Sequence, residues 1–371
     1  MSSVVIRSLA AAALAVAVGA SGCGATDKTA AVAQTAVASP APAAKSPPPA
    51  PAVRDMPEFT AGATWLNSAP LTRAALSGKV VVVDFWTYSC INCLRAMPYV
   101  NAWYSRYRDS GLVIVGAHSP EFGFEKDADN VRMAIRKFAI EYPVVLDNDF
   151  AIWKAYDNRF WPAHYFIDAT GRIRGHHYGE GKYAESEHTI RALLTEAGVT
   201  HLPPPIDAAA GEGVGAAADV ANVKSHETYL GFARGANFQS PGSFERDAVK
   251  DYQLPPAMAL NEWALAGRWL VSREKAQLQA TPGRIAFRFE ARDLHLVLGP
   301  GRTGAPVRFR VSLDGKPPGA DHGMDTDARG AGSVREQRLY QLIRQQGEVQ
   351  NHEFVIEFLD PQVEAFAFTF G

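Results

Sequence analysis

Lys79-Val80-Val81-Val82-Val83-Asp84-Phe85-Trp86-Thr87-Tyr88-Ser89-Cys90-Ile91-Asn92-Cys93-Leu94-Arg95-Ala96-Met97-Pro98 is the stretch from which the fold of this 371-residue chain is read. Its apolar, β-branched opening, residues 80–83, predicts a strand buried on both faces. The strand ends at Asp84-Phe85-Trp86, a short loop of Thr87, Tyr88 and Ser89 follows, and Cys90-Ile91-Asn92-Cys93 opens a helix. A helix N-terminus presents unpaired N–H groups and positive dipole potential, which stabilise a thiolate on the first cysteine. The second cysteine lies one turn on, within reach of a disulfide with the first. A lone CxxC is also compatible with half a zinc site. Zinc needs further ligands, however, and the sequence has neither a second CxxC nor a nearby CxH, so no metal is expected.

Outward from this stretch, composition narrows the function classes. The net charge of −2 gives no global field for nucleic acid or an acidic membrane surface. Residues 1–22 carry Arg7, an apolar run over residues 9–18 and then small residues, the layout of a secretory signal peptide. That run is too short to span a bilayer. Ala20-Ser21-Gly22-Cys23 resembles the bacterial lipobox, in which the cysteine becomes a lipid-modified N-terminus, although a large aliphatic residue usually stands where Ala20 is. Lipidation of Cys23 leaves Cys90 and Cys93 as the remaining thiols of the three cysteines, which excludes a structural disulfide framework. The alternative is plain secretion with a free Cys23. Residues 23–56 are rich in Ala, Pro, Thr and Ser without an aromatic side chain, and read as a disordered tether.

Residues 57–200 alternate strand and helix patterns. A helix is expected over residues 91–108, a buried strand over 111–117, a helix over 127–140 and short elements over 143–146 and 149–156. Strands over 163–168 and 172–177, joined by a turn, and a last helix over 184–197 complete a mixed sheet with helices on both faces. Residues 201–222, with Pro203-Pro204-Pro205 and a Gly/Ala-rich run, form a second linker. Residues 223–371 change to short alternating strands such as 284–289, 293–298, 307–311, 353–358 and 364–370. This is the signature of an all-β, jelly-roll-like sandwich.

The Cys90 segment, together with Phe160-Trp161-Pro162-Ala163-His164-Tyr165-Phe166-Ile167-Asp168, resembles the thioredoxin superfamily and its TlpA-like thiol–disulfide oxidoreductases. It resembles the extracytoplasmic part of DipZ proteins more closely still. The similarity extends into residues 223–371, which resemble the carbohydrate-binding-module-like domain of DipZ proteins. DipZ proteins begin with a multi-span CcdA-type domain, and this chain shows no such segment, which implies a separate membrane electron donor of the CcdA or DsbD type. The resemblance implies that Cys90 attacks a protein disulfide and Cys93 resolves the mixed disulfide, with no cofactor beyond that pair. It implies that Asp84 is a buried carboxylate moving the proton of Cys93, the alternative being a strand-end aspartate bonded to backbone. It implies a cis peptide bond before Pro162, the alternative being an ordinary trans proline opening an edge strand. Trp161 and Ala163, with Trp86, would then flank the substrate groove. Pro98 falls where thioredoxins carry a helix-kinking proline.

Glu121 is a possible second acid near the cysteines, or else a solvated loop residue. His118 and His164 are weaker candidates, His164 being read as a satisfied structural histidine. In the C-terminal part, Asp321, His322, Asp325 and Asp327 are a calcium candidate that reads better as a solvated loop, and Trp263, Trp269, Tyr229 and Phe232 read better as core than as a sugar platform. The expected function is extracytoplasmic thiol–disulfide exchange. It is expected to reduce disulfides in exported proteins, extending to cytochrome c maturation, with a glycan as possible ligand of the sandwich. One alternative is a peroxiredoxin-like thiol peroxidase, suggested by Thr87-x-x-Cys90 but lacking the proline expected where Val83 stands. Another is a glycan- or protein-binding lipoprotein with an accessory redox domain.

Overall fold

The computed structural model describes residues 54–60, 62–207, 211–302 and 304–371. The expected signal segment, Cys23 and the tether up to residue 53 lie outside the described residues. Two strands too short to show any periodicity come first, Arg54–Asp55 (β1) and Trp65–Leu66 (β2). Val80–Trp86 (β3), Ile91–Tyr107 (α1), Leu112–His118 (β4), Ala128–Lys137 (α2), Val144–Leu146 (β5) and Ala151–Ala155 (α3) follow. Ala163–Ile167 (β6), Arg172–Tyr178 (β7) and Tyr183–Glu196 (α4) complete the first half. Every regular element expected between residues 80 and 197 is present.

The seven strands form one mixed sheet in the order β1-β7-β6-β3-β4-β5-β2. β3, β4 and β5 run parallel at its centre, and β6 and β7 return antiparallel beside β3. Alternation along β3 divides the core. Val80, Val82 and Trp86 pack under α1, α2 and α4, whereas Val81, Val83 and Phe85 meet Ile152 of α3 and the N-terminal Met56 and Phe59. Burial on both faces explains why the strand lacks a polar side. β1 pairs with Ile173 and Arg172 of β7, so part of the segment assigned to the tether belongs to the sheet.

The C-terminal half contains Thr228–Tyr229 (β8), Val249–Tyr252 (β9), Trp263–Val271 (β10), Ala276–Glu290 (β11) and Asp293–Gly299 (β12). Val307–Leu313 (β13), Ala331–Val334 (β14), Arg338–Arg344 (β15), Asn351–Phe358 (β16) and Glu364–Phe370 (β17) complete it. Its strands pair antiparallel and alternate inward and outward, as in β13, where Val307, Phe309, Val311 and Leu313 are buried. Long β11 pairs with β17 at one end and with β16 at the other, which links all ten strands into one sheet around a single core. Trp263 and Trp269 lie wholly inside that core. Asp325 pairs with Arg338, Asp327 accepts from the Arg329 and Ala331 amides, and Asp321 accepts from Gln346, so these carboxylates serve loop geometry.

The two halves share an apolar cluster. Val297, Leu339, Phe366 and Ala367 of the second sheet join the core that lies under α1 and α2. Phe122 and Phe124 meet Phe366 with ring centroids 5.2 and 4.7 Å apart. The connecting segment is docked as well. Val214 packs against the same cluster, and the Gly213 carbonyl accepts a hydrogen bond from Arg344. Residues 52–371 accordingly form one compact unit.

Candidate active site

Cys90 caps α1 in extended conformation, with no side chain supplying the cap, and is half-buried. Cys93 is buried beneath it, and neither thiol is bonded into a disulfide. Burial pushes the Cys93 thiol well up, with the hydrogen bond to Cys90, the Cys90 charge and Asp84 adding to the effect. Cys93 is thus the proton-bearing partner, and Cys90 is the sulfur a reagent can reach.

The loop before Cys90 is held from below by a carboxylate that sequence reasoning missed. Glu125 is wholly buried and accepts from the Ser89 hydroxyl at 2.6 Å and the Ser89 amide at 3.2 Å. Its other oxygen accepts from the Glu121 and Phe122 amides at 2.6 and 3.0 Å. The available signal was capping spacing, since Glu125 stands three residues after Phe122 at the head of a short helical turn. Glu121, the expected second acid, faces elsewhere: its carboxylate is taken up by the Tyr229 hydroxyl at 2.6 Å and Arg234 at 2.8 Å, both from the C-terminal half.

Burial pushes the Glu125 carboxyl up to about 7, against the hydrogen bonds from Ser89 and Thr87. A carboxyl raised in the folded state binds its proton there at a pH where the unfolded chain has lost it, so stability falls as pH rises from about 4.5 through about 7. The loss is expected to reach roughly 3 kcal/mol and to be absent from Glu125→Gln. Urea midpoints of both proteins at pH 5 and pH 8 check this, and parallel shifts in the two would count against it.

On the other side, the Trp161–Pro162 peptide bond is cis, as expected. The Pro162 carbonyl is occupied by the Gly179 amide at 2.8 Å, and Ala163 pairs within the sheet. Among the described residues, the Trp161 N–H and C=O make no backbone hydrogen bond, so the free peptide edge belongs to Trp161. Its indole donates to the Ser119 carbonyl at 3.0 Å and lies 4.2 Å from the Trp153 ring, centroid to centroid. Two groove expectations need correction. Trp86 is 1% and Ala163 0% exposed, because both face into the sheet core, so neither side chain lines a groove. Phe160, 51% exposed beside Tyr178, was not anticipated there.

Asp84 is buried at the end of β3 as expected. His164, read from sequence as a satisfied structural histidine, is wholly buried with Nε2 3.3 Å from Asp84 Oδ1, while its Nδ1 has no hydrogen-bond partner among the described residues. Tyr142 lies near both Asp84 and Cys93, which add to burial in pushing its hydroxyl up. His118 stacks on Tyr88 under the loop, and burial pulls it down to about 3, leaving a neutral ring. Gly116 stands directly beside Asp84 on β4, where a Cβ would come within 2.9 Å of Trp86 Nε1 and 3.0 Å of Tyr142. Gly116→Ala is therefore expected to cost about 1–3 kcal/mol by overpacking, read as a lower unfolding midpoint. An unchanged midpoint would show that the two rings yield freely.

Residues 53–176 match the AhpC/TSA family model, and residues 225–371 match the model described as thioredoxin like C-terminal domain. The chain is 41% identical over 267 residues to protein DipZ of Mycobacterium bovis, an alignment covering 70% of this chain and 36% of DipZ. It is also 30% identical over 141 residues to the thiol–disulfide oxidoreductase YkuV of Bacillus subtilis, covering 38% of this chain and 95% of YkuV. The chain belongs to the thioredoxin-like thiol–disulfide oxidoreductases.

A solved thioredoxin-like protein in the oxidised form is 32% identical, with 39% of this chain and 97% of that one covered, at a TM-score of 0.36. The chain spans about a third of the length of DipZ. Among its described residues, no helix is long and apolar enough to cross a membrane.

Proposed function

We propose that the protein is an extracytoplasmic dithiol oxidoreductase in which Cys90 attacks a substrate disulfide and Cys93 resolves the resulting mixed disulfide. Asp84 accepts the Cys93 proton, and Trp161 with the cis Pro162 presents a free backbone edge to an extended substrate peptide. The observation that carries this reading is the asymmetry of the pair: a half-exposed Cys90 at a helix N-terminus over a buried, proton-bearing Cys93. The redox couple is the cysteine pair itself, with no further cofactor.

In this reading the reaction runs toward reduction of disulfides in exported proteins, including apocytochrome c, and a separate membrane protein of the CcdA or DsbD type restores the dithiol. Cys23 supplies a lipid anchor at the cell envelope. A glycan ligand of the C-terminal half would have to use a surface other than Trp263 and Trp269, which are buried.

The test is the reduction potential of Cys90–Cys93 in the purified protein, equilibrated against glutathione or dithiothreitol. A value near or below about −250 mV supports the reductase, and one near about −120 mV reverses the direction. The AhpC/TSA match favours a second reading, a thiol peroxidase using Cys90. Hydroperoxide consumption with a thiol reductant separates the two.

A further inference from the structure

On the sheet face under α1, apart from His118 at the end of β4, the buried polar side chains fall in one row. Asp84 of β3 is the direct cross-strand partner of His164 on β6, which in turn is the partner of His177 on β7. The flanking positions on β3 and β6 are Val82, Trp86 and Phe166, all in the apolar core. The row begins beside Cys93, whose thiol senses the Asp84 charge, and ends at half-buried His177 on the rim of the sheet. His164 Nε2 faces Asp84 Oδ1 at 3.3 Å, and two further ring nitrogens along the row, Nδ1 of His164 and Nε2 of His177, lack hydrogen-bond partners among the described residues. The two imidazoles lie nearly parallel, with centroids 6.3 Å apart. A buried polar group left without a partner destabilises the fold, so a purely structural role would be better filled by an aliphatic side chain.

We propose that Asp84, His164 and His177 form a proton relay across the sheet that serves the Cys93 thiol. The proposal rests on the dithiol reading above and adds the route of the proton. When Cys93 Sγ attacks Cys90 Sγ of the mixed disulfide, the Cys93 S–H bond breaks and its proton passes to the Asp84 carboxylate. The Cys90–Cys93 bond forms, and the substrate sulfur leaves with the electron pair of the broken S–S bond. The proton moves from Asp84 to His164 Nε2, giving an imidazolium beside a carboxylate, and leaves through the His177 end. Reduction of the disulfide runs the same path inward. His164 acts through Asp84 and does not touch the sulfur atoms. The groups facing the row are Cys93 and Trp103 from α1, Tyr142 ahead of β5, and the Glu180 backbone with the Lys182 and Glu185 charges around His177.

The experiment follows the reduced full chain reacting with oxidised glutathione between pH 5 and pH 9. Acid quenching and mass analysis separate formation of the Cys90–glutathione adduct from its resolution by Cys93. His164→Gln is expected to slow resolution by at least about tenfold, to displace its pH profile, and to slow adduct formation far less. In an Asp84→Asn background the same substitution is expected to add nothing further, because the relay is already cut. Equal effects on both steps, an unaltered profile, or effects of the two substitutions that multiply would overturn the relay. If His164→Gln fails to melt cooperatively, His177→Gln at the rim decides: slower resolution supports the route and an unchanged rate refutes it. A wild-type chain that forms no Cys90 adduct defeats the dithiol reading itself, a result distinct from failure of the relay.

Discussion

Cys93→Ser is expected to stop disulfide exchange at a covalent adduct through Cys90, one per chain, stable on a gel without reductant. Cys90→Ser is expected to reduce exchange to the solution background. The reason is geometric. Cys90 is half-buried at the mouth of α1, where the proposed attack takes place, whereas Cys93 is enclosed beneath it. Removing the outer sulfur leaves a buried thiol pushed well up, a poor nucleophile near neutral pH. Removing the inner one leaves nothing to break the mixed disulfide. Gel shifts and peptide mass mapping check both, and an adduct on Cys93 in the Cys90→Ser protein would reverse the assignment.

The second large effect concerns Phe366. This side chain belongs to β17 yet is buried against Phe122 and Phe124 of the first half. Phe366→Ala is expected to cost about 3–5 kcal/mol through lost burial and the cavity left behind. Because the two halves share one apolar cluster, the loss is expected in a single unfolding transition reported alike by far-UV circular dichroism and tryptophan fluorescence. Two separate transitions, with only one displaced, would mean that the halves fold independently.

The first half was legible because its signals are local. An unbroken β-branched run, cysteines opening a helix and alternating strand and helix periods follow from neighbouring residues alone. The all-β character of residues 223–371 was legible for the same reason. What the sequence hid depends on register and on contacts between distant segments. Nothing local tells that His164 stands opposite Asp84, since a shift of one residue would turn it to the other face. Trp86 and Ala163 were placed by their nearness in sequence to Cys90 and Pro162, but strand parity turns both inward. Glu121 does not support the Cys90 loop because Tyr229 and Arg234 arrive from more than a hundred residues away to claim its carboxylate. Residues 201–222 have the composition of a flexible spacer, yet Val214 is pinned against the helical layer.

The shared core has a consequence for how a partner must behave. Inter-domain hinges need small, polar contacts, and here Phe122, Phe124, Phe366 and the docked connection lock the halves instead. In the proposed exchange the dithiol would therefore sit on a stiff template, and most of the conformational adjustment in forming a mixed disulfide would fall on the incoming chain. A cystine in a loose, extended segment would lay its backbone along the proposed Trp161 edge at little entropic cost. One locked in a finished core would first have to unfold locally, so the proposed exchange would favour unfinished proteins through stiffness.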